Sequence, residues 1–189
     1  MNINELRNQA YRNAVVHGWH EENMSDEHFL CLVISELMEA VEADRNGMHA
    51  KRDNFEYYMK QRRRDDEEFM YAFKHDIKDS VEDELADACI RLLDLAGLRS
   101  VDLGEIDPDE LKCSEGFFDW TFTESIFFLV CNITNSDYIE THSFDSFLRV
   151  ALIEILVFCV QKEIDIFWHI EQKMKYNELR PYKHGDKSY

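Results

Sequence analysis

The sequence predicts an all-α fold, a helical bundle in which antiparallel helices carry paired acidic residues. Two observations predict the class. Only six Gly and two Pro occur in 189 residues, so the chain lacks the breakers that punctuate short strands. Its apolar residues recur three and four apart, the period of one helix face. A chain of 189 residues can bury a core without disulfides or structural zinc. Residues 1–189 are therefore expected to form one domain, with insertions at about 48–76 and 98–142 and a basic tail at 180–189.

Each element has a local cause. The first helix is expected from about Asn4 to His17, ending at Gly18, which suits a left-handed C-terminal cap. After the connection "HGWH", Ser25 or Asp26 caps a second helix that stops near Gly47. The stretch "HAKRDNFEYYMKQRRRDDEEFMYAFKHD" runs from a basic block into an acidic one and reads as a solvated insertion, partly helical. Its centre, "QRRRDDEE" at 61–68, is expected to be dispensable for the chemistry. Ser80 opens "SVED", a capping box for a third long helix that closes near Gly97. "RSVDLGEIDPDELKCSEG" has the turn residues of a linking loop with one short helical turn. Helices at roughly 120–134 and 143–161 follow, the second capped by Ser143. Asp165 caps a last helix that Pro181 ends.

The net charge of -18, from 39 acidic against 21 basic residues, argues against a nucleic-acid polymer or an anionic membrane as partner. Small nucleotides stay compatible, because polyphosphates commonly arrive with magnesium. Cys31, Cys89, Cys113, Cys131 and Cys159 form no CxxC pair, and all but Cys113 sit in apolar helical stretches. They are expected to be small buried hydrophobes in a reducing compartment. The start "MNINELRNQA" is too polar for a secretory signal and the apolar runs are too short to span a bilayer. A soluble, cytoplasmic protein is expected.

Chemistry enters with "ISELMEAVEADRNG". At 100° per residue, Glu36 falls among Phe29, Leu32, Ala40 and Ala43, in the middle of the apolar face, with Glu39 on its flank. A bare carboxylate there is costly and calls for a cation, a metal or a proton. Glu84 and Asp87 repeat the three-residue spacing on the third long helix. Spacing alone proves little, since roughly eight acidic pairs at that distance arise by chance in a chain this acidic. The second pair also shares its side with Arg91 and Asp94, as an ordinary polar face would. Four carboxylates from two antiparallel helices suit a hard cation with oxygen ligands, magnesium above all. A di-iron bundle needs Glu-x-x-His, and no histidine here has Glu three residues before it.

The last 18 residues hold five Lys or Arg against two acids. Lys173, Asn177 and Arg180 fall on one helical face, beside the stripe of Ile166, Ile170 and Met174. An anion could bind there, since Lys and Arg donate to phosphate oxygens and Asn reads a base or sugar edge. Trp19 offers a surface on which a base could stack.

Together "SELMEAVEADR", "KDSVEDELADACIRLLDLAG" and "HIEQKMKYNELRPYKHGDKSY" resemble the all-α nucleoside triphosphate pyrophosphohydrolases of the MazG-like type, relatives of dimeric dUTPases and of phosphoribosyl-ATP pyrophosphohydrolase. The resemblance covers about residues 3–47, 77–97 and 163–189. It implies that Glu36, Glu39, Glu84 and Asp87 are ligands of Mg2+, with Mn2+ as a substitute. It also implies that Lys173, Asn177, Arg180, Tyr182 and His184 form a nucleotide-binding tail. The expected reaction is hydrolysis of an NTP or dNTP to the monophosphate and pyrophosphate, with Glu39 or Glu36 as the base, in a homodimer or higher homo-oligomer serving nucleotide-pool sanitation. Ser35 stands where many members have another Glu, which leaves the number of metals and the identity of the base open. Two rivals are a non-catalytic nucleotide-binding module and an acidic interaction protein. The second needs its charge outside, which Glu36 on an apolar stripe contradicts.

Overall fold

The computed structural model describes residues 2–61, 65–113, 119–135 and 143–186. Among these residues there is no strand. Nine helices are present: α1 (Ile3–Val16), α2 (Asp26–Arg45), α3 (Arg52–Gln61), α4 (Asp66–Asp76), α5 (Val81–Leu98), α6 (Pro108–Cys113), α7 (Phe122–Ile133), α8 (Phe144–Gln161) and α9 (Ile166–Glu178). A short turn at Lys183–Asp186 follows. No helix of the described residues is long and apolar enough to cross a membrane.

Side-chain oxygens start most of these helices by accepting an orphan backbone N–H. Ser25, Asp65, Ser80, Thr121, Ser143 and Asp165 all cap in this way. Thr121 and Glu124 form the full reciprocal box. "SVED" forms half of one. Ser80 accepts from the Asp83 amide, but the Asp83 carboxylate reaches past it to accept from the Asp79 amide. Gly18 and Gly47 both take positive φ where α1 and α2 end.

α5 is the central element, packed against α1, α2, α8 and α9. Contacts pair Asp26 with Arg99, Glu36 with Arg91 and Met48 with Val81. One partner number rises as the other falls, so α2 and α5 are antiparallel. α1 also runs antiparallel to α5 and approaches it closely at Gly97, where a Cβ would collide with that of Tyr11. The main core is a continuous cluster from Leu6, Val33 and Leu37 through Leu85, Cys89 and Leu92 to Leu152, Ile155 and Phe158. Val101, Leu103, Ile106 and Leu111 join it, so part of the 98–142 segment is core rather than appendage.

The 48–76 segment is more ordered than a solvated insertion. α3 and α4 pack on each other and bury Phe55, Phe69, Ala72, Phe73 and Ile77 with Tyr176 of α9. Aromatic residues separated by long charged runs hide this core from a periodicity reading. Residues 62–64 lie outside the described ones, but Asp65 caps α4 and Glu68 binds the Tyr58 hydroxyl. Asp65 and Glu68 therefore have structural roles. Cys89 and Cys159 are buried as expected, whereas Cys31 and Cys131 are exposed on the solvent sides of α2 and α7. The side chain of Cys113 falls outside the described ones.

Candidate functional site

The polar sides of α1, α2, α5 and α9 meet around a pocket of about 200 Å³. Glu36 and Glu39 reach it from α2, and Glu84 and Asp87 from α5. Lys173 and Asn177 enter from α9, with Trp19, Arg180 and His184 from the segments after α1 and α9. These residues come from the three regions whose motifs had been singled out, brought together by the antiparallel pairing of α2 and α5.

Glu36 is 8% exposed, within the apolar face as predicted, and its partner in the fold is Arg91. The guanidinium donates to Oε1 from Nε at 3.2 Å, and its Nη2 lies 3.1 Å from the same oxygen. Burial first, then the charges of Asp87 and Glu39, push the Glu36 carboxyl up to about 7 despite Arg91. Glu84 is also buried, and desolvation with Asp83, Asp87 and Glu36 nearby pushes it up to about 8, against the pull of Lys173. Glu39 is exposed at the mouth and is touched by the Ser35 hydroxyl at 3.4 Å.

Glu36, Glu39 and Glu84 each bring an oxygen within 4.8 Å of the other two, a group able to hold a metal ion. All the donors are carboxylate oxygens, the set hard cations prefer. Crowding two raised carboxyls with a third acid is what a divalent cation would relieve. Asp87 stands apart from this group. It accepts from Lys173 at 2.8 Å, and Asp83 accepts from the same ammonium at 2.6 Å. Lys173 is 4% exposed. Burial works against its charge, but Asp87 and Asp83 more than reverse this and hold it well above its ordinary value.

Among the tail residues, Asn177 is buried and its Oδ1 has no partner. Arg180 lies over the Tyr176 ring at the pocket edge. The backbone of Arg180 is tied to α1, because both ring nitrogens of His17 face carbonyl oxygens, Asn13 at 2.8 Å and Arg180 at 3.0 Å. His184 contributes a ring rather than a charge. Burial, Arg180 and His17 push it down to about 3, and it meets Trp19 edge-on at 5.1 Å. Tyr182 departs from the expected tail. Its hydroxyl donates to Glu21 and its ring covers Gly18, where a Cβ would collide with it. Tyr182 is not among the residues that line the pocket.

Several site residues escaped the sequence reading. Asp83 lies within the capping motif and looks like a cap, yet it is 1% exposed. Arg91 and Asp94 were visible on the same helix side as Glu84 and Asp87, but nothing local marked Arg91 as the cation for Glu36. Asp94 is buried beside His20, whose Nε2 lies 2.7 Å from Oδ1. That partner is 74 positions away and leaves no local trace.

No family model matches the chain, and no curated protein or solved structure matches it either.

Proposed function

We propose that this chain is a magnesium-dependent hydrolase of the MazG-like kind, which cleaves a nucleoside triphosphate between its α and β phosphates to give monophosphate and pyrophosphate. One observation carries the reading. Three carboxylates able to share a cation lie in the same pocket as Asn177, Arg180 and Trp19, which suit a phosphate chain and a base. The choice of scissile bond follows from the resemblance of the motifs.

Glu36, Glu39 and Glu84 would hold the cation. Bound magnesium, or manganese in its place, would polarise the phosphoryl oxygens and acidify a water. Glu39 is the better-placed base of the two α2 acids, because it is exposed while Glu36 is engaged by Arg91. It would take the proton of a water attacking in line. Arg180 would donate to the leaving pyrophosphate, where charge develops. The buried Asn177 amide would meet a sugar or base edge, with the base on Trp19.

The test is a screen of all common NTPs and dNTPs for pyrophosphate release with magnesium, run beside Glu39→Gln. Release from at least one nucleotide, lost in the variant, supports the reading. Tight nucleotide binding without release in single-turnover assays would leave a nucleotide-binding module instead.

A further inference from the structure

The acids around the pocket form two groups that share Glu84. Asp79, Asp83 and Glu84 also bring oxygens within 4.8 Å of one another, as Glu36, Glu39 and Glu84 do. On the bare count of oxygens the pocket could take a divalent ion in each. The cations already present distinguish them. In the first group Glu36 alone meets a cation, the half-exposed Arg91, and Glu84 meets no donor among the described residues. In the second, Lys78 pairs with Asp79 at the exposed edge, and a buried ammonium stands directly on Asp83 at 2.6 Å and bridges to Asp87 at 2.8 Å.

That ammonium is built in rather than incidental. The Lys173 side chain is 5% exposed and the Asp83 side chain 0%. Asp83 is fixed in turn, since its Oδ2 also accepts from the Asp79 amide at 3.0 Å and its own amide donates to Ser80. Its other oxygen, Oδ1, is buried and has no partner. An orphan carboxylate oxygen with lone pairs to offer is what a second metal would use. A divalent ion there would sit within a few ångströms of the ammonium, and like charges at that distance repel strongly where water is excluded.

We infer that the Lys173 ammonium is the resident cation of the Asp79–Asp83–Glu84 corner, occupying the electrostatic role of a second divalent ion, so that the pocket takes one metal, on Glu36, Glu39 and Glu84. The inference rests on the metal-dependent reading above and fixes its metal number. Lys173 is a positioning residue in this role: it neutralises Asp83 and Asp87 and leaves the phosphate contacts to Arg180.

The experiment counts metal directly, without nucleotide. The full chain is titrated with Mn2+ by calorimetry, and the loaded protein is read by electron paramagnetic resonance for coupling between neighbouring ions. One uncoupled Mn2+ per chain is expected for the parent and for Lys173→Arg, and two coupled ions for Lys173→Gln. Circular dichroism checks that each variant folds. A second measurement needs no variant. With 15N-labelled lysine, the slowly exchanging Lys173 ammonium signal should persist at saturating Mg2+. Two ions in the parent, one in a folded Lys173→Gln, or loss of the ammonium signal on Mg2+ loading would overturn the inference and leave the hydrolase reading standing. No metal bound to the folded parent would overturn both.

Discussion

Around α2 and α5 the main core holds the buried carboxylates Glu36, Asp83, Glu84 and Asp94. The second core, under the hairpin that α3 and α4 form, is closed by rings, with Phe55 edge-on to Phe69 and Phe73 stacked on Tyr176 at 4.4 Å. Lys175 over Phe69 and Arg180 over Tyr176 lie at its rim, and the buried Lys173 ammonium passes 5.8 Å from the Phe73 ring centre where it reaches Asp83 and Asp87. Both regions are helical, both bury aromatic or aliphatic groups, and both lean on α9. Burying charge costs stability unless partners offset it. Among the described residues the hairpin region buries no carboxylate and the first region buries four, the contrast on which the proposed metal site rests.

The harshest way to break this comparison is Glu36→Gln, expected to abolish magnesium binding and turnover with helical content unchanged. Because the substitution relieves a desolvated acid among like charges, the metal-free variant should melt no lower than the metal-free parent. Normal turnover at low magnesium would reduce Glu36 to a structural acid. Phe69→Ala is the mirror experiment. It should lower stability by about 3–5 kcal/mol in urea unfolding, as large-to-small core changes do, while the folded protein still binds Mn2+ normally. Loss of metal binding in the folded variant would mean that the two regions are not separable.

The pH dependence sharpens the contrast. Glu36 rises from 4.5 to about 7 and Glu84 from 4.5 to about 8, chiefly through burial. The native state therefore favours their neutral forms. Their contribution to stability is full below about pH 4.5 and is lost as pH rises through about 7 and 8. For Glu36 alone the loss is about 3 kcal/mol. Thermal melts without metal should fall across this window, fall less in Glu36→Gln, and be restored by magnesium more at pH 8 than at pH 6. A melting temperature flat across that range in the parent would contradict the burial argument.

Smaller effects are expected at the rim, where two cations lie over the rings of the hairpin core. Arg180→Ala should weaken binding of a non-hydrolysable triphosphate with magnesium by about 1.5–3 kcal/mol, the range for a lost charged hydrogen bond. Lys175→Ala should leave that affinity unchanged and cost only about 0.5–1 kcal/mol of stability, the value of an exposed cation–π contact. Since both variants lose such a contact, equal affinities would remove Arg180 from the ligand.

What was legible follows from how local each signal was. The caps at Ser25, Ser80, Ser143 and Asp165, the ends at Gly18 and Gly47, and the buried position of Glu36 depend on a few neighbouring residues, and all appear in the fold. The convergence of α2, α5 and the tail on one pocket followed the quoted motifs. Asp83 was hidden because a buried ion pair and a helix cap use the same residue type at the same place, and its cation comes from 90 positions away. The hairpin core was hidden because Phe55 and Phe69 belong to different helices and meet only where α3 packs on α4. Tyr182 is the opposite case, named with its segment while its own side chain packs over Gly18 and binds Glu21.

The clasp between α1 and the segment after α9 has a consequence for the order of synthesis. Glu21 and Tyr182 are 161 positions apart, and His17 and Arg180 are 163 apart. At roughly 5–20 residues per second on the ribosome, the α1 end waits roughly 10–30 s for its partner strand of sequence to emerge. During that interval α2 and α5 can already pair, with their acids gathered and the basic wall still missing. The acids of α2 and α5 are thus gathered before α9 exists, and the Lys173 ammonium that neutralises Asp83 is made 90 positions after it.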